Sequence, residues 1–384
     1  MADESLENSV KPGAAPASTV RKFDKESLRH IEPSAINTPK KRREHEDKVK
    51  KSLKASTTEG MFNGSSTSIT TTFITPFALE LGARDSDIGL LSAVQNFMNT
   101  LSQIPGAKLT QYMPRKSIWM ISQLTSKMFF WIPIMLLPFI DIDNKITLLI
   151  AMMGLIAFFA GLRSPAWSSM MGDLVPMNIR GKYFGNRNMI TGVASIIATL
   201  ISGWIVIVYG FSVVFFLSVL LSAISIVFFV QMYEPPVKKI FHYKHRFEFN
   251  PRHWATSIRI NKPLVIFTAY LFFMYLAVEI ASPFYTVYMI RDLNIDYFWF
   301  SALTILGAAI RIVSFKHWGK LEDKFGSRNI VLVTGFFGCF TPFLWLFVSN
   351  IQEIALVKIF DGFVWAGFDL VVFNYLLDIT PADK

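Results

Sequence analysis

The sequence contains a single cysteine, Cys339, and it lies in an apolar run. An internal disulfide is therefore excluded, and there is no cysteine framework for a metal site. Charge is scarce too, because only 17% of the residues are Asp, Glu, Lys or Arg, while 52% are hydrophobic. This composition is typical of a polytopic membrane protein and disfavours a soluble one.

Catalytic and nucleotide-binding signatures are also lacking. Gly181-Lys182-Tyr183 fails as a phosphate loop, because Tyr replaces Ser or Thr and no glycine lies five residues before Gly181. ATP-driven transport by this chain alone is disfavoured, and no nucleophile, base and oxyanion arrangement indicates an enzyme. Three histidines in a basic connection have no Cys or clustered carboxylate beside them, so we predict neither a metal site nor a cofactor there: His242, His245 and His253.

The first 60 residues are basic and poor in apolar side chains. They hold 13 Lys or Arg, including the run from Lys40 to Arg43, and no apolar segment long enough to cross a bilayer. This start is not a secretory signal peptide, and we expect a flexible, solvated tail over residues 1–56. Attraction to anionic lipid or cytoplasmic retention explains the basic run better than nucleic-acid binding, so no nucleic-acid partner is predicted.

After the tail come ten apolar segments near the length of about 20 residues that a spanning helix needs. The predicted spans cover residues 57–83, 87–112, 117–139, 146–172, 184–209, 212–233, 263–290, 296–317, 329–349 and 351–378. A polar stretch separates six spans from four. We therefore predict an all-α membrane protein with an N-terminal six-helix bundle (57–233), a basic cytoplasmic linker (234–262) and a C-terminal bundle of four helices (263–384).

Basic residues are concentrated in alternate connections between the spans. The connections after the second, fourth, sixth and eighth spans are basic, whereas the opposite connections carry mainly Arg84, Lys145 and Arg291. By the positive-inside rule, the N-terminus and the basic connections are expected to be cytoplasmic.

Short motifs of the first six spans return in the last four at nearly constant spacing. Thr-Pro-Phe at 75–77 is echoed by Ser-Pro-Phe at 282–284, which is 207 residues on (283 minus 76). Gly106 to Arg115 returns as Gly319 to Arg328, at 213 residues (319 minus 106). Because each pair occupies the same helix number in its half, we predict a parallel repeat of six-helix units.

The loop from Gly319 to Arg328 is the most specific motif in the chain. Its pattern resembles the loop that the major facilitator superfamily carries between its eighth and ninth helices: Gly319, Leu321, Asp323, Gly326 and Arg328. Residues 173–187, with Asp173, Arg180 and Arg187, look like the loop between helices four and five of that family. The resemblance covers nearly everything after residue 56. It implies two six-helix bundles around a central substrate site, which exchange access by rocking.

Two departures from the family pattern lead to further expectations. Thr110 stands in the first loop copy where Asp323 stands in the second, so the N-terminal latch is expected to be weakened or moved. The chain stops at Lys384, right after the echo of the fourth span's end, so we expect a truncated sequence lacking the last two helices. Six plus four helices of an expected six plus six would then be present.

The resemblance assigns gating to the two loops. Gly319 is expected to let helices approach closely, Gly326 to permit a sharp reversal, and Asp323 to latch the loop onto a neighbouring helix end. The predicted gating residues are Asp173, Arg180, Arg187, Gly319, Asp323, Gly326 and Arg328.

Charged residues at membrane depth are the candidates for substrate binding and coupling. Arg163 in the fourth span and Asp369 in the tenth occupy equivalent positions of the repeat, 206 residues apart (369 minus 163). They predict either a substrate or proton site across the two bundles, or a structural ion pair or gate. Glu279, four residues before Pro283, is a candidate proton carrier. Its alternative is pairing with Arg311 or Lys127, two residues that are themselves candidates for holding an anionic substrate.

Three amides, Gln95, Asn99 and Gln103, recur every four residues on one face of the second span. Such a row suits a neutral polar ligand, although hydrogen bonds between helices also explain it. We predict a secondary transporter that moves a small molecule across the cell membrane, with possible coupling to protons or another ion. The fifth span lacks the Gly-Pro-Gly-Gly cluster that resembles drug antiporters, and this absence favours symport or facilitated uptake. The alternative is a membrane sensor or scaffold that keeps the fold without transport.

Overall fold

A computed structural model describes residues 39–176, 179–235 and 262–379. The chain divides into two compact units, Met1–Lys48 and Val49–Lys384, and the larger unit holds the features described below. The regular elements of the described residues are helices: α1 (Pro39–Glu80), α2 (Asp85–Leu109), α3 (Arg115–Leu124), α4 (Ile132–Leu136), α5 (Lys145–Leu174), α6 (Arg180–Tyr209), α7 (Phe211–Val230), α8 (Lys262–Val287), α9 (Tyr297–Phe325), α10 (Ser327–Leu344) and α11 (Ile351–Ile379). Two π-helical turns interrupt this pattern, Thr125–Trp131 between α3 and α4, and Tyr288–Asp292 after α8.

Helices occupy all ten predicted spans, and the largest difference lies at the first. Helix α1 begins at Pro39, 18 residues before the predicted start (57 minus 39). The additional residues 39–56 include many Lys, Arg and Glu, which favour helix. Near the end of this additional segment, Ser52 and Ser56 are buried. The residues before 57 are therefore in part helical and packed. The division into domains stays a prediction, because most of the proposed linker lies outside the described residues.

Seven segments of the described chain are long and apolar enough to cross a membrane by length and composition. They begin at Arg115, Lys145, Arg180, Phe211, Lys262, Tyr297 and Ser327. Helices α1, α2 and α11 fill the other three predicted spans, and α1 and α2 carry more polar side chains. The hydroxyls of α1 lower its apolar character, and Ser65, Ser66 and Thr70 among them are buried in the bundle.

Close helix packing occurs at equivalent places in the N-terminal half (α1–α7) and the C-terminal half (α8–α11). Helix α5 meets α2 at Gly161, where a Cβ atom would collide with the backbone oxygen of Asn99 and with Ser102. Helix α11 meets α9 at Gly362, where a Cβ atom would collide with the backbone oxygen of Gly307. Small residues let helix backbones approach in this way. The two contacts agree with the predicted repeat, since α2 and α5 correspond to α9 and α11.

The bundle has one basic end, where α2, α5, α7 and α9 finish. At this end the chain reverses between α9 and α10 through Gly326, whose φ of +80° confirms the predicted backbone conformation. At the opposite end Asp296 caps α9 by accepting from the backbone N–H groups of Phe298 and Trp299, each at 2.9 Å. These turns position the polar residues of α9 between the two ends.

Candidate functional site

A polar cluster joins α1, the first π turn and α7 inside the N-terminal half. Lys127 is buried, and its ammonium donates to the hydroxyl oxygens of Ser66 at 2.9 Å and Ser218 at 3.4 Å. The same ammonium lies 5.2 Å from the centre of the Trp131 ring. Lys127 thus has hydroxyl and aromatic partners, but no carboxylate within ion-pair distance in the described chain. π turns in otherwise regular helices are frequent at functional sites.

One turn closer to the basic end, the cluster continues through Gln123. Its amide nitrogen donates to Asn63 at 3.1 Å and to the Ser222 hydroxyl at 2.6 Å. Hydroxyls of α1 therefore contribute to packing between helices, as in the hydrogen bond between Ser68 and Thr199 of α6. The Ser and Thr residues of α1 make their described contacts within the bundle.

A buried ion pair connects α1 with α6. Arg187 donates to Glu59 at 3.1 Å and to the backbone oxygen of Ser56 at 3.2 Å, and Glu59 is only 1% exposed. The Arg187 guanidinium also lies 4.9 Å from the centre of the Trp167 ring. Arg187 was expected at a loop, but its place is inside the bundle. A buried charge needs a partner, and Glu59 supplies it.

Arg163 of α5 lies near this pair and near Lys127. It interacts electrostatically with Glu59 and with Lys127, yet it makes no ion pair or hydrogen bond in the described part of the chain. Its side chain keeps some exposed surface. The structure therefore places three cations and one carboxylate close together in the N-terminal half, namely Lys127, Arg163, Arg187 and Glu59.

The predicted amide row lies at the α2–α5 contact. Asn99 donates to the backbone oxygen of Ala157 at 3.4 Å and accepts from Gln103 at 3.2 Å. This arrangement agrees with the alternative of hydrogen bonding between helices. Gln95 is half-buried and makes no hydrogen bond to another described residue.

In the C-terminal half, Arg311 of α9 and Asp369 of α11 form an ion pair. Their side chains are 44% and 28% exposed, so the pair is accessible to solvent. Asp369 and Arg163 are therefore not partners of each other in this structure, since each has neighbours in its own half. Asp369 is therefore neutralised within its own half, whereas Arg163 has no ion-pair partner among the described residues.

A second polar group lies nearby on α11. Asp361 accepts from Thr341 at 3.1 Å and interacts electrostatically with Lys358 and Arg311. Lys358 also lies 5.4 Å from the centre of the Trp345 ring. Asp361 and Lys358, three residues apart, therefore lie on one face of α11.

Glu279 of α8 is exposed, and it pairs with neither Arg311 nor Lys127, the two partners considered from the sequence. It interacts electrostatically with Tyr275, one turn earlier, which in turn interacts with Arg311. The Tyr275 ring lies 6.1 Å from the ring of Trp365 on α11. Glu279 thus follows the α8 face that is directed toward α9 and α11.

At the basic end of the N-terminal half, Arg115 is the centre of a buried network. Its guanidinium donates to Asp173 at 2.6 Å, to Ser169 at 3.0 Å and to the backbone oxygen of Pro235 at 2.7 Å. Its backbone N–H donates to Glu234 at 2.8 Å. These bonds link α3, α5 and the end of α7. The first loop copy therefore keeps a latch despite Thr110, and Arg115 forms it.

Arg180 holds the other side of this region. Its guanidinium donates to the backbone oxygen of Gly172 at 2.6 Å, near the end of α5. Free carbonyl groups at a helix C-terminus favour a basic partner. Arg180 thereby connects the start of α6 to the end of α5.

The basic end of the C-terminal half differs from the expectation. Asp323 and Arg328 are exposed and make no ion pair within the described residues. The contact with α11 is made by Glu322, which accepts from Asn374 at 2.9 and 3.0 Å and from Ser327 at 2.8 Å. In the described residues the contact of this loop with α11 is thus made by Glu322, which lies on the helix face toward α11, and the latch role of Asp323 stays a prediction.

Close approach was also expected at Gly319. A Cβ atom there would lie 3.9 Å from Leu370, which is ordinary contact. At Gly106, its counterpart in the first half, a Cβ atom would lie 2.6 Å from the backbone oxygen of Leu162. The close approach therefore requires glycine in the first loop copy and not in the second.

The described residues connect the two halves from the middle of the bundle to the end opposite the basic loops. Arg291 pairs with Asp85 at 2.5 Å and donates to the backbone oxygen of Ala83 at 2.7 Å. The rings of Phe211 and Tyr297 lie 5.1 Å apart across the same boundary. No hydrogen bond or ion pair between described residues joins the halves at the basic end. Among the described residues, polar and ring contacts between the halves are thus confined to the middle and to the end opposite the basic loops.

The sequence of the chain matches the profile of the Major Facilitator Superfamily over residues 60–383. The chain belongs to this superfamily. It is therefore a multi-pass membrane protein of a transporter family, and the predicted resemblance and fold class are confirmed. The three histidines of the basic connection lie outside the described residues, and the described chain has no group of three or more His, Cys, Asp and Glu suited to a metal ion.

One curated sequence and several solved transporter structures are similar to this chain. Multidrug resistance protein MdtG of Proteus mirabilis (strain HI4320) is 25% identical over 337 residues, which are 83% of this chain and 79% of that protein. A peptide transporter POT in complex with sulfate has a TM-score of 0.65 at 15% identity, covering 86% of this chain and 83% of that one. The nucleoside transporter NupG gives 0.63 at 12% identity, with 88% and 83% covered. At such identities these structures show a shared superfamily fold.

Several residues of the site were not predicted from the sequence. Glu59 lies near the start of the predicted first span, where a carboxylate is ordinary. Only the longer α1 of the structure places it inside the bundle. Arg115 was noted as a loop charge, and its burial could not be inferred from the loop pattern. The repeat offered one signal, since Arg115 corresponds to Arg328.

Proposed function

We propose that this protein is a secondary transporter that moves a small molecule across the cell membrane by alternating access, coupled to protons. The observation that carries this proposal is the asymmetric closure of the two halves. An ion pair and ring contacts between described residues join them toward one end, whereas charged side chains between the two ends keep exposed surface. A superfamily transporter that is closed on one side and open on the other has this arrangement.

The basic end is assigned to the cytoplasm. Arg115, Lys116, Arg180 and Lys320 lie there, and basic residues remain preferentially on the cytoplasmic side. With this orientation the N-terminus is cytoplasmic, and the structure is open toward the cytoplasm. The Arg291–Asp85 pair then closes the external side.

Proton coupling is placed on two carboxylates of the C-terminal half, Glu279 and Asp369. The ion pair of Asp369 with Arg311 is partly exposed, so a proton from the open side reaches it. Protonation would remove the charge that holds Arg311 and so release α9 from α11. Glu279 lies in the same half, and its protonation does not require an ion pair between described residues to break. A D-xylose-proton symporter of the same fold, with a TM-score of 0.57 at 14% identity over 87% of this chain and 84% of that one, supports coupling of this kind.

Export of apolar drugs is a second candidate. The name of the Proteus mirabilis relative points to it, and so does a groove of about 640 Å³ between α1, α6 and α7. The groove is lined by apolar side chains, among them Met61, Met189 and Leu217. The two candidates differ in the charge of the substrate that they would carry. Binding experiments with oxyanions and with an apolar cation separate them.

The scaffold alternative loses one of its supports. It relied on a degenerate first loop, but Arg115 joins Asp173 and Glu234 there. Paired spin labels on cysteines introduced in a Cys339→Ser background test alternating access directly. One pair replaces Gln111 and Lys320 at the basic end, and the other replaces Asp141 and Gln352 at the opposite end.

For a transporter in lipid vesicles, the two label distances change in opposite directions when the pH or an imposed proton gradient is changed. If neither of the two label distances changes under any condition, the result would support the scaffold. Uptake of labelled compounds into the same vesicles, with and without the gradient, then measures transport and its coupling.

A further inference from the structure

Two cations of the N-terminal half lack a carboxylate partner. Lys127 bonds to the hydroxyls of Ser66 and Ser218, and Arg163 has no hydrogen-bond partner in the described residues. The one carboxylate near them, Glu59, is already paired with Arg187 at 3.1 Å. Between its two ends, the described part of this half therefore holds more positive than negative charge.

An uncompensated charge at membrane depth is costly for folding. Placing a charged side chain there is strongly unfavourable unless a partner or water compensates it. The hydroxyls of Ser66 and Ser218 are satisfied without the Lys127 ammonium. Ser66 donates to the backbone oxygen of Ser218 at 2.8 Å, and Ser218 donates to the backbone oxygen of Ser66 at 3.1 Å. The fold gains little from this charge. A ligand that completes the site would gain from it.

The two cations differ in access. Arg163 keeps exposed surface and offers the planar set of five N–H donors that matches an oxyanion in a bidentate manner. Lys127 is buried, with two of its three donors used by Ser66 and Ser218. Arg163 is therefore placed to touch a ligand, and Lys127 to attract it through charge alone.

We propose that Arg163 binds an oxyanion of the substrate, a carboxylate, phosphate or sulfate group, and that Lys127 is the buried charge behind it. This inference rests on the proposed transport function and names the class of its substrate. Arg311 does not share this role, because Asp369 neutralises it. Glu59 keeps Arg187 in place and leaves Arg163 free for the ligand.

The first test needs no ligand and compares the thermal stability of purified variants. Lys127→Met removes the uncompensated charge at nearly constant volume, so its melting temperature equals or exceeds that of the wild type. Arg187→Met leaves Glu59 buried without its partner and lowers the melting temperature by several degrees. If Lys127→Met is destabilised as much as Arg187→Met, Lys127 serves the fold and the inference is overturned.

The second test measures stabilisation by oxyanions at constant ionic strength, with chloride as the reference. Sulfate, phosphate and a simple carboxylate such as benzoate are the probes, and their separate midpoints distinguish the three chemistries. At least one raises the melting temperature of the wild type and of Lys316→Gln, an exposed basic control on α9. Arg163→Gln raises the oxyanion concentration that gives half of the maximal stabilisation by roughly tenfold or more. Arg163→Lys raises this concentration less.

Equal midpoints in the wild type and Arg163→Gln, or no response to any oxyanion, would overturn the inference. The spin-label experiment keeps this failure apart from failure of the transport proposal. A chain whose halves alternate while oxyanions have no effect remains a transporter of another substrate class. Uptake or binding of an apolar cation that is unaffected by Arg163→Gln would identify that class as the drug-like one.

Discussion

Arg291 and Asp85 lie 206 residues apart in the chain, and their ion pair joins the two halves at the end opposite the basic loops. Arg291 belongs to the π turn that follows α8, and Asp85 is the first residue of α2. The same guanidinium donates to the backbone oxygen of Ala83. A π turn therefore carries a cation at this closure and another at Lys127 inside the bundle. Both lie where the helix geometry departs from the α-helix.

Asp85→Asn is expected to shift the population toward the state that is open at the Arg291 end. Both side chains are largely exposed, so the pair contributes about 0.2–1 kcal/mol, and the ratio of the two states changes by up to about fivefold. Spin labels at Asp141 and Gln352 report the change as a gain in the longer distance. Asp292→Asn, an exposed neighbour of Arg291, should leave the ratio unchanged. Equal effects of the two variants would mean that the ion pair does not hold the closure.

The roles of Glu322 and Asp323 at the second loop can be tested by changing each of these adjacent carboxylates. Glu322→Gln weakens the bonds to Asn374 and Ser327, so we expect a loss of about 1 kcal/mol in the free energy of unfolding. Asp323→Asn changes an exposed side chain without a partner and should remain within about 0.5 kcal/mol of the wild type. Thermal or denaturant unfolding in detergent measures both. A larger loss at Asp323 would restore the interpretation made from the loop pattern.

Helix α5 offers a matched pair of glycines. A methyl group at Gly161 would collide with Asn99 and Ser102 of α2, so Gly161→Ala should destabilise by about 1–3 kcal/mol. At Gly172 nothing lies within 4 Å of the added atom. Gly172→Ala should therefore be neutral, or stabilise by up to about 1 kcal/mol through the helix propensity of alanine. Comparable melting temperatures for the two variants would contradict the close α2–α5 packing.

The fold was accessible from the sequence because its signals are local. Apolar length places each helix, and the repeat of motifs such as Gly106 to Arg115 and Gly319 to Arg328 relates the halves. The reversal at Gly326 followed from its residue type alone. These features depend on neighbours along the chain, and they agree with the structure.

The pairing of charges was not accessible in the same way. The repeat matched Asp369 with Arg163, whereas the packing of α9 against α11 pairs Asp369 with Arg311. The choice between Glu322 and Asp323 depends on one helical step of about 100°, which the loop pattern does not fix. Glu59 was missed for a third reason, since it depends on where α1 begins. Such side-chain choices are made by tertiary packing.

Deletion of the basic tail and neutralisation of Glu279 distinguish transport from a scaffold function. The deletion must end at Lys48, because Ser52 accepts from the backbone N–H of Tyr233 at 2.8 Å and the backbone oxygen of Leu53 accepts from Tyr183 at 3.1 Å. A transporter keeps its proton-driven uptake without residues 1–48, because the exchange of access belongs to the helices. Glu279→Gln abolishes the stimulation of uptake by a proton gradient. It leaves the free energy of unfolding within about 0.5 kcal/mol of the wild type, since the side chain is exposed. The reverse result, with activity lost on removal of the tail and kept in Glu279→Gln, would assign the activity to a partner bound by the tail.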